Sequence, residues 1–241
     1  MREDQVGLVQ LLQVFPSCKP PLSLLLEHLP RLNPRPYSLS SSPTCPRNQI
    51  RFTYTVVESP RPGLATSYLK NLKPGAEVLF YPRTSSGFNP PTDPSASIIM
   101  IGAGSGIGPF MGFLEHRRSL ANKTGSAFLL FGCRDRKKDF LHQAELEQFK
   151  RDKVLTELFV SFSREQNKVK YVQDLLLENA TELTRLIVEE GAYVYVCGDA
   201  KNMGKGVHDK LTSMVSSSGL DGAAKLKKMT LEGKYKQDLW T

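Results

Sequence analysis

Short apolar segments alternate with helical stretches from residue 96 to the end of the chain. The apolar segments are "SIIMIG", "AFLLFGC", "LTELFVSFS" and "AYVYVCG", and each is followed by a stretch with helical character. Apolar strands that alternate with helices are typical of a parallel sheet covered by helices on both faces. The pattern therefore predicts a doubly wound α/β domain over residues 96–241.

The preceding residues follow a different period. In "IRFTYTVVE", apolar residues alternate with Arg51, Thr53 and Thr55, which predicts a half-buried antiparallel strand. "RPYSLSSS" and "AEVLFYPR" have the same character, and turn residues separate the three segments. We therefore predict a small β-barrel over residues 31–95, which ends in a linker rich in Ser, Pro and Thr.

The beginning of the chain predicts two short helices. "QVGLVQLLQV" is apolar enough for a buried helix that Pro16 stops, and "LSLLLEHL" ends at Pro30. A chain that starts on a helix without any lead-in is expected of a fragment or of a short product of a longer protein. The predicted organisation is therefore 1–30, 31–95 and 96–241.

The charge balance favours anionic partners but not nucleic acid. Lys and Arg number 32 against 24 Asp and Glu, which gives a net charge of +8. The densest basic cluster, residues 134–138, is interrupted by Asp135 and lacks interleaved aromatic residues, as a solvated face would. No apolar run approaches the roughly 18 residues of a membrane span, and no signal-peptide charge pattern is present. We expect no nucleic-acid partner and no membrane segment in this chain.

The cysteines predict reduced thiols in a cytoplasmic protein. Cys18, Cys45, Cys133 and Cys197 match neither a zinc-ligand spacing nor a CxxC motif. The sequence therefore predicts no metal site.

A glycine-rich turn joins the first apolar strand of the α/β part to a helix. "IIMIGAGSGIGPF" places Gly104, Ser105 and Gly106 ahead of Pro109 at the helix start. Free N–H groups at a helix start, next to glycines that allow close approach, suit a phosphate. Ile107 stands where a dinucleotide GxGxxG motif has its third glycine, however, and no Gly-Lys pair follows. A phosphate site and close backbone packing both explain the turn.

A later strand end carries residues suited to a phosphate monoester. "SFSRE" ends a strand with Ser163 and Arg164, and Lys168 and Lys170 follow. Because ligands bind at the carboxyl ends of strands in doubly wound sheets, this set suits the 2′-phosphate of NADP. An exposed charged loop is the alternative.

The last strand end and the chain terminus hold further candidates. "YVYVCGDA" ends with Cys197 and Asp199, and a buried thiol is either a small apolar group or a reactive one. Three strand ends with ligand-type side chains in one domain are more than packing requires. Trp240, the single tryptophan, either anchors the tail to the core or stacks on a flat group.

The predicted barrel holds two candidate segments. "RPYS" offers Arg35 and Tyr37 on one face of a strand, with Ser38 on the other face unless the strand bends. "RPGLATSYL" places Gly63 ahead of a short helix that begins near Thr66, another place for a phosphate. Arg and Tyr on a strand face are also common without any ligand.

Together these segments resemble the FAD/NADPH half of the diflavin reductases, which has the ferredoxin–NADP reductase fold. "RPYSLSSS" is similar to the family's R-x-Y-S flavin motif, "GLATSYL" to its second FAD motif and "GAGSGIGPF" to its nicotinamide motif. "FGCR", "SFSRE", "YVCGDAKNM" and the terminal aromatic residue follow in family order. The resemblance implies FAD and NADPH as cofactors, with FMN only on a missing domain or a partner. It also implies that residues 1–30 are the remnant of a helical connecting domain.

The resemblance assigns roles to individual residues. The implied FAD contacts are Arg35 at the pyrophosphate, Pro36, Tyr37 stacked on the isoalloxazine ring, and Ser38 at its N5 edge. Gly63, Leu64, Ala65 and Thr66 are also implied at the pyrophosphate. The implied NADPH contacts are Gly104, Ser105, Gly106, Arg134, Ser163, Arg164, Tyr171, Gln173 and Asp199, with Lys168 preferred over Lys170 at the 2′-phosphate. Ser105 replaces the family's usual Thr and Gly108 its usual Ala, which both preserve the backbone cradle.

The resemblance also implies a reaction, in which NADPH passes hydride to FAD and electrons leave one at a time. Ser38, Cys197 and Asp238 are the implied catalytic residues, and Trp240 covers the flavin ring. The implied partner is an FMN domain or a flavodoxin-like acceptor, and several segments favour the branch that serves cobalamin-dependent methionine synthase. A branch that serves cytochrome P450 is the alternative. So is a non-catalytic product that binds FAD and a partner without passing electrons on.

Overall fold

The computed structural model describes residues 7–44, 49–58, 61–83, 87–120, 124–165 and 169–240. The chain divides into two compact units, Met1–Pro36 and Tyr37–Thr241. The predicted division at residues 30 and 95 stays a prediction. Lys168 and Cys45 lie outside the described residues.

The first unit contains the two predicted helices, α1 (Leu8–Val14) and α2 (Leu22–His28). Neither helix has a buried residue, and Val9 is 69% exposed. The prediction of a buried helix is therefore wrong. An apolar pattern predicts the helix, but burial also requires other parts of the protein to pack on it.

Five parallel strands form the sheet of the second unit, as far as the structure describes it. They are β1 (Ile98–Ala103), β2 (Ala127–Cys133), β3 (Glu157–Phe162), β4 (Tyr193–Asp199) and β5 (Tyr235–Trp240), in the order β3-β2-β1-β4-β5. The intervening helices are α4 (Gly108–Ser119), α5 (Gln143–Arg151), α6 (Val172–Glu178), α7 (Ala180–Val188), α8 (Lys205–Ser216) and α9 (Gly222–Leu231). Neighbouring strands pair in parallel throughout, so the predicted doubly wound sheet is confirmed.

The sheet separates two apolar cores. Ile99 and Val196 point to the face covered by α6, α7, α8 and α9, whereas Met100 and Cys197 point to the face covered by α4 and α5. Side chains buried on both faces explain why these strands read as continuous apolar runs.

The predicted barrel is not shown. The described part of the segment between residues 37 and 95 contains helix α3 (Leu64–Asn71) and one isolated antiparallel bridge, Leu39 to Phe52. The predicted strand "AEVLFYPR" does not form a strand in the structure, and Leu79 in it is fully exposed. A strand is stabilised by its neighbours, and its own alternating pattern does not supply them.

Candidate functional site

The carboxyl ends of the strands lie at one edge of the sheet. β1 has β2 on one side and β4 on the other, so the connections that leave β1 and β4 diverge at this point. Ligands of open α/β sheets bind in the crevice that such a divergence creates. A 3-10 turn over Gly104–Ile107 follows β1 here and leads directly into α4.

Two different properties of glycine are used in this turn. Gly104 is exposed, has φ +56°, and has open space where a Cβ would stand. Gly106 is buried, and a Cβ there would lie 2.8 Å from the carbonyl carbon of Cys197 and closer still to its oxygen. Close backbone packing therefore explains Gly106. A phosphate contact at Gly104, Ser105 and Gly106 stays a prediction.

The three residues implied in hydride transfer come together at this edge. Ser38 Oγ donates a hydrogen bond to Asp238 Oδ2 at 2.7 Å, although the two residues are 200 positions apart. Asp238 on β5 lies directly opposite Cys197 on β4. Burial, and then the nearby Asp238 carboxylate, raises the pKa of the Cys197 thiol. The thiol is therefore protonated at neutral pH, and a reactive thiolate is not what this environment favours.

Trp240 ends strand β5 at the edge of the sheet. Its backbone pairs with Asp199 on β4, and its side chain is on the same face as Asp238, two residues earlier. The indole is 43% exposed. Backbone pairing therefore anchors the tail, while part of the ring is left available for a ligand.

The basic residues implied at the 2′-phosphate follow β2 and β3. Backbone pairing continues past the strand ends, with Ser163 N–H donating to Cys133 O and Arg164 N–H to Arg134 O, both at 2.9 Å. Arg134 and Arg164 are both exposed. This pairing places Arg134 and Arg164 on neighbouring segments at one end of the sheet, and both residues are exposed to an anion in solution. Lys168, the preferred third cation, is not described.

The residues implied at the adenosine make local contacts. Asp174 Oδ2 accepts the backbone N–H groups of Tyr171 and Lys170 at 3.0 and 3.1 Å, and Tyr171 as a residue is 59% exposed. Gln173 Nε2 donates to Asn202 O at 3.4 Å.

Asp199 makes a local contact as well. Its carboxylate caps the π-helical turn Ala200–Gly204 by accepting Asn202 N–H at 2.7 Å. This capping occupies one carboxylate oxygen and fixes the direction in which the chain leaves β4.

The implied flavin residues of the second unit form two groups. The Tyr37 ring packs against Phe52 and Tyr54, with ring centroids 5.0 and 6.2 Å apart. At the start of α3, Thr66 Oγ1 accepts Val57 N–H at 3.2 Å and donates to Gly63 O at 3.4 Å. Leu64 is exposed and Ala65 half-buried beside them.

Arg35 and Pro36 fall in the first unit. The Arg35 guanidinium donates to the Asn33 carbonyl. The contact of Arg35 with the FAD pyrophosphate, and that of Pro36 with FAD, stay predictions.

Sequence reasoning assigned no role to the polar stripe formed by Arg51, Thr53 and Thr55. Arg51 pairs with two carboxylates of the α/β part, Thr53 Oγ1 lies 3.2 Å from His142 Nε2, and Thr55 Oγ1 donates to Ser105 Oγ at 3.2 Å. The period-two pattern identified the stripe as one face of an extended segment. It carried no information about what that face would meet.

The donor set fits a dinucleotide and a flavin. An open glycine turn and two exposed guanidinium groups suit phosphates, and partly exposed aromatic rings suit a flat heterocycle. Among the described residues, no three His, Cys, Asp or Glu side chains converge so that they could hold a metal ion. No helix in the described part of the chain is long and apolar enough to cross a membrane.

Comparison with known proteins gives two family matches. Residues 1–68 match a model described as FAD binding domain, and residues 100–209 match one described as oxidoreductase NAD-binding domain. These matches confirm FAD and a nicotinamide nucleotide as the cofactors of such domains, in the predicted order along the chain.

Curated relatives align with essentially the whole chain. Methionine synthase reductase of Mus musculus is 41% identical and that of Homo sapiens 39%, each over 100% of this chain and 40% of the relative. NADPH–cytochrome P450 reductase of Drosophila melanogaster is 38% identical over 98% of this chain and 37% of the relative. The resemblance to the diflavin reductases is confirmed. The chain spans about 40% of the length of the curated relatives it matches.

Proposed function

We propose that this chain, a relative of the diflavin reductases, is an NADPH-dependent flavin oxidoreductase module. In this function it binds FAD and NADPH, transfers hydride between them, and passes electrons to an FMN domain or a flavodoxin-like partner. The observation that carries the proposal is the 2.7 Å hydrogen bond between Ser38 and Asp238, beside Cys197. A hydroxyl from the flavin half and a carboxylate from the last strand meet where a nicotinamide and a flavin would face each other.

The residues at this edge position the reactants and shape their electrostatics. Bound FAD would supply the hydride acceptor and NADPH the donor. Asp238 accepts a hydrogen bond from the Ser38 hydroxyl, which orients both side chains at the reacting edge. The buried Cys197 thiol stays neutral and places a polarisable sulfur atom beside the carboxylate.

The nucleotide is held by three groups in this proposal. Gly104, Ser105 and Gly106 receive the pyrophosphate. Arg134, Ser163 and Arg164 receive the 2′-phosphate, with Lys168 or Lys170 as a further cation. Tyr171, Gln173 and Asp199 border the adenosine. The exposure of both arginines supports this assignment, because an unburied guanidinium is free to form bidentate contacts with phosphate.

The flavin lies against Tyr37 and the start of α3 in this proposal, with Arg35 and Pro36 at its pyrophosphate. Trp240 stacks on the exposed face of the ring and moves aside when the nicotinamide arrives. The partly exposed Trp240 supports such a gate, since it ends a strand at the edge of the sheet, where displacement has a low cost. The FAD-binding β-barrel over residues 31–95 belongs to the same proposal.

The physiological acceptor is proposed from similarity. Methionine synthase reductases are 38–41% identical to the chain, which favours cobalamin-dependent methionine synthase as the final partner and the cytoplasm as the location. The 38% identity to an NADPH–cytochrome P450 reductase makes a cytochrome P450 the second candidate. A non-catalytic FAD-binding product is the third, and it is favoured by the exposed apolar residues between 78 and 81.

The test is the visible spectrum of the purified chain with FAD, before and after NADPH, followed by ferricyanide reduction. We expect bound flavin, bleaching by NADPH, and ferricyanide turnover without FMN. Asp238→Asn should lower the rate of bleaching by about 10²-fold at unchanged flavin content, because a positioned charged group is lost. A folded, FAD-loaded protein that NADPH cannot reduce would favour the non-catalytic product, and failure to bind FAD would refute the module altogether. Flavodoxin-like domains of methionine synthase reductase and of NADPH–cytochrome P450 reductase are then offered as electron acceptors. The domain that the chain reduces faster decides between the first two candidates.

A further inference from the structure

Arg51 occupies a central place in the polar stripe. Its guanidinium pairs with Glu115 on α4 and, at 3.2 Å, with Glu145 on α5. Glu145 also accepts a hydrogen bond from His142, and Thr53 contacts the other side of that ring. One side chain of the extended segment therefore joins two helices of the α/β part.

Glu115 is the more buried of the two carboxylates. Its side chain is 9% exposed, against 45% for Glu145. Its second oxygen accepts the backbone N–H of Ser42 at 2.9 Å. Glu115 therefore contacts both the Arg51 segment and the segment that follows Ser38.

The backbone of Arg51 is in turn bonded to residues next to Ser38. Arg51 O accepts Ser40 N–H at 2.7 Å, and Arg51 N–H donates to Ser41 Oγ at 3.0 Å. Ser40 and Ser41 are both buried. A continuous series of contacts thus runs from the two carboxylates through Arg51 to the segment that immediately follows Ser38.

We propose that Arg51 is a positioning residue that holds the Ser38 segment against α4, so that the Ser38 hydroxyl stays within reach of Asp238. The inference rests on the proposed function for its catalytic consequence, and on geometry alone for its structural one. Other contacts also hold this segment, since Gly112 on α4 approaches the carbonyls of Leu39 and Ser41. Arg51 differs from them because its ion pairs are directional and join charged groups in a partly desolvated place.

The experiment compares four variants of the full chain. Arg51→Gln removes the ion pairs, and Arg51→Gln with Glu115→Gln removes them without leaving a buried carboxylate unpaired. Arg51→Lys keeps one positive charge. Lys150→Gln is the matched control. It removes the exposed ion pair between Lys150 on α5 and Glu157, and neither residue contacts the polar stripe.

Two measurements are made on each variant. The first is hydrogen–deuterium exchange of the backbone amides of residues 38–42, which needs no cofactor. The second is NADPH-driven ferricyanide reduction by the FAD-loaded chain, with kcat and the KM for NADPH determined separately.

We expect exchange at least tenfold faster, and kcat roughly tenfold lower, in both variants that lack the Arg51 charge, with KM changed less than twofold. Arg51→Lys should recover most of both effects, and Lys150→Gln should match the wild type. Unchanged exchange at residues 38–42 overturns the inference, and so does an unchanged kcat in an active protein. If the wild type itself cannot reduce ferricyanide, the proposed function fails, while the exchange measurement still decides whether Arg51 holds the segment.

Discussion

Replacing Gly106 with alanine should destabilise the protein by about 3 kcal/mol, because the added methyl group meets backbone rather than side chain. The new Cβ would lie 2.8 Å from the carbonyl carbon of Cys197 and 3.3 Å from the nitrogen of Gly198. Carbon atoms in contact are normally about 3.5–4.0 Å apart. The turn and strand β4 would therefore have to separate by roughly 1 Å.

The surroundings leave little room for that movement. Cys197 and Ile107 are fully buried, and β4 is bonded to β1 on one side and β5 on the other. Overpacking a well-packed core costs about 1–3 kcal/mol. Distortion of the pairing between Gly102 and Cys197 would add about 1 kcal/mol for each hydrogen bond weakened. The total is a large share of the ~5–15 kcal/mol that holds a typical domain together.

The assay is urea unfolding followed by far-ultraviolet circular dichroism, with Gly219→Ala as the control. Gly219 differs from Gly106 in having a positive φ, +87°, and a Cβ there meets nothing within 4 Å. The control therefore reports backbone strain alone, about 1 kcal/mol. We expect a lower unfolding midpoint for Gly106→Ala than for the control at equal slope. Equal midpoints would refute the argument that Gly106 is required for close packing.

Three further predictions concern reactivity, nucleotide choice and acid. Iodoacetamide should label exposed Cys18 at least 10²-fold faster than Cys197, because burial keeps the Cys197 thiol protonated and out of reach. Equal labelling rates, measured by mass spectrometry of peptides, would contradict the assigned burial. Trp240→Ala should raise the use of NADH relative to NADPH in steady-state kinetics, and an unchanged preference would leave the indole as a plain anchor. Burial alone would raise the pKa of Glu145, but the His142 ring and the Arg51 guanidinium lower it below 4.5, so its contribution to stability is present above that pH and lost below it. The difference in unfolding free energy between wild type and Glu145→Gln should therefore shrink as the pH falls from about 5 to about 3, and a difference that grows over this range would contradict this sign.

The α/β part could be predicted from local patterns because its strands are buried on both faces. Ile98 to Ile101 read as a continuous apolar run, and each of these residues is fully buried in the sheet. The barrel could not be predicted in the same way. "AEVLFYPR" has the composition of a strand, yet Leu79 is fully exposed, because strand formation depends on partners that composition does not specify.

Helix burial followed the same rule. Val9 is apolar and lies on a correctly predicted helix, but a seven-residue helix without a packed neighbour leaves it exposed. Propensity therefore located the element, whereas burial depended on what surrounds it.

What the sequence by itself determined is the set of elements in the α/β part, the glycine turn after β1, and through family motifs the identity of Ser38, Cys197 and Asp238 as candidates. Only the tertiary structure decided that Ser38 and Asp238 meet at 2.7 Å across 200 positions, and that Gly106 packs on the backbone of Cys197. It also decided that Arg51 pairs with two carboxylates. The physical reason is the range of the interactions. Periodicity records which face of an element a residue occupies, whereas hydrogen bonds, ion pairs and steric contacts depend on which distant surface is packed against that face.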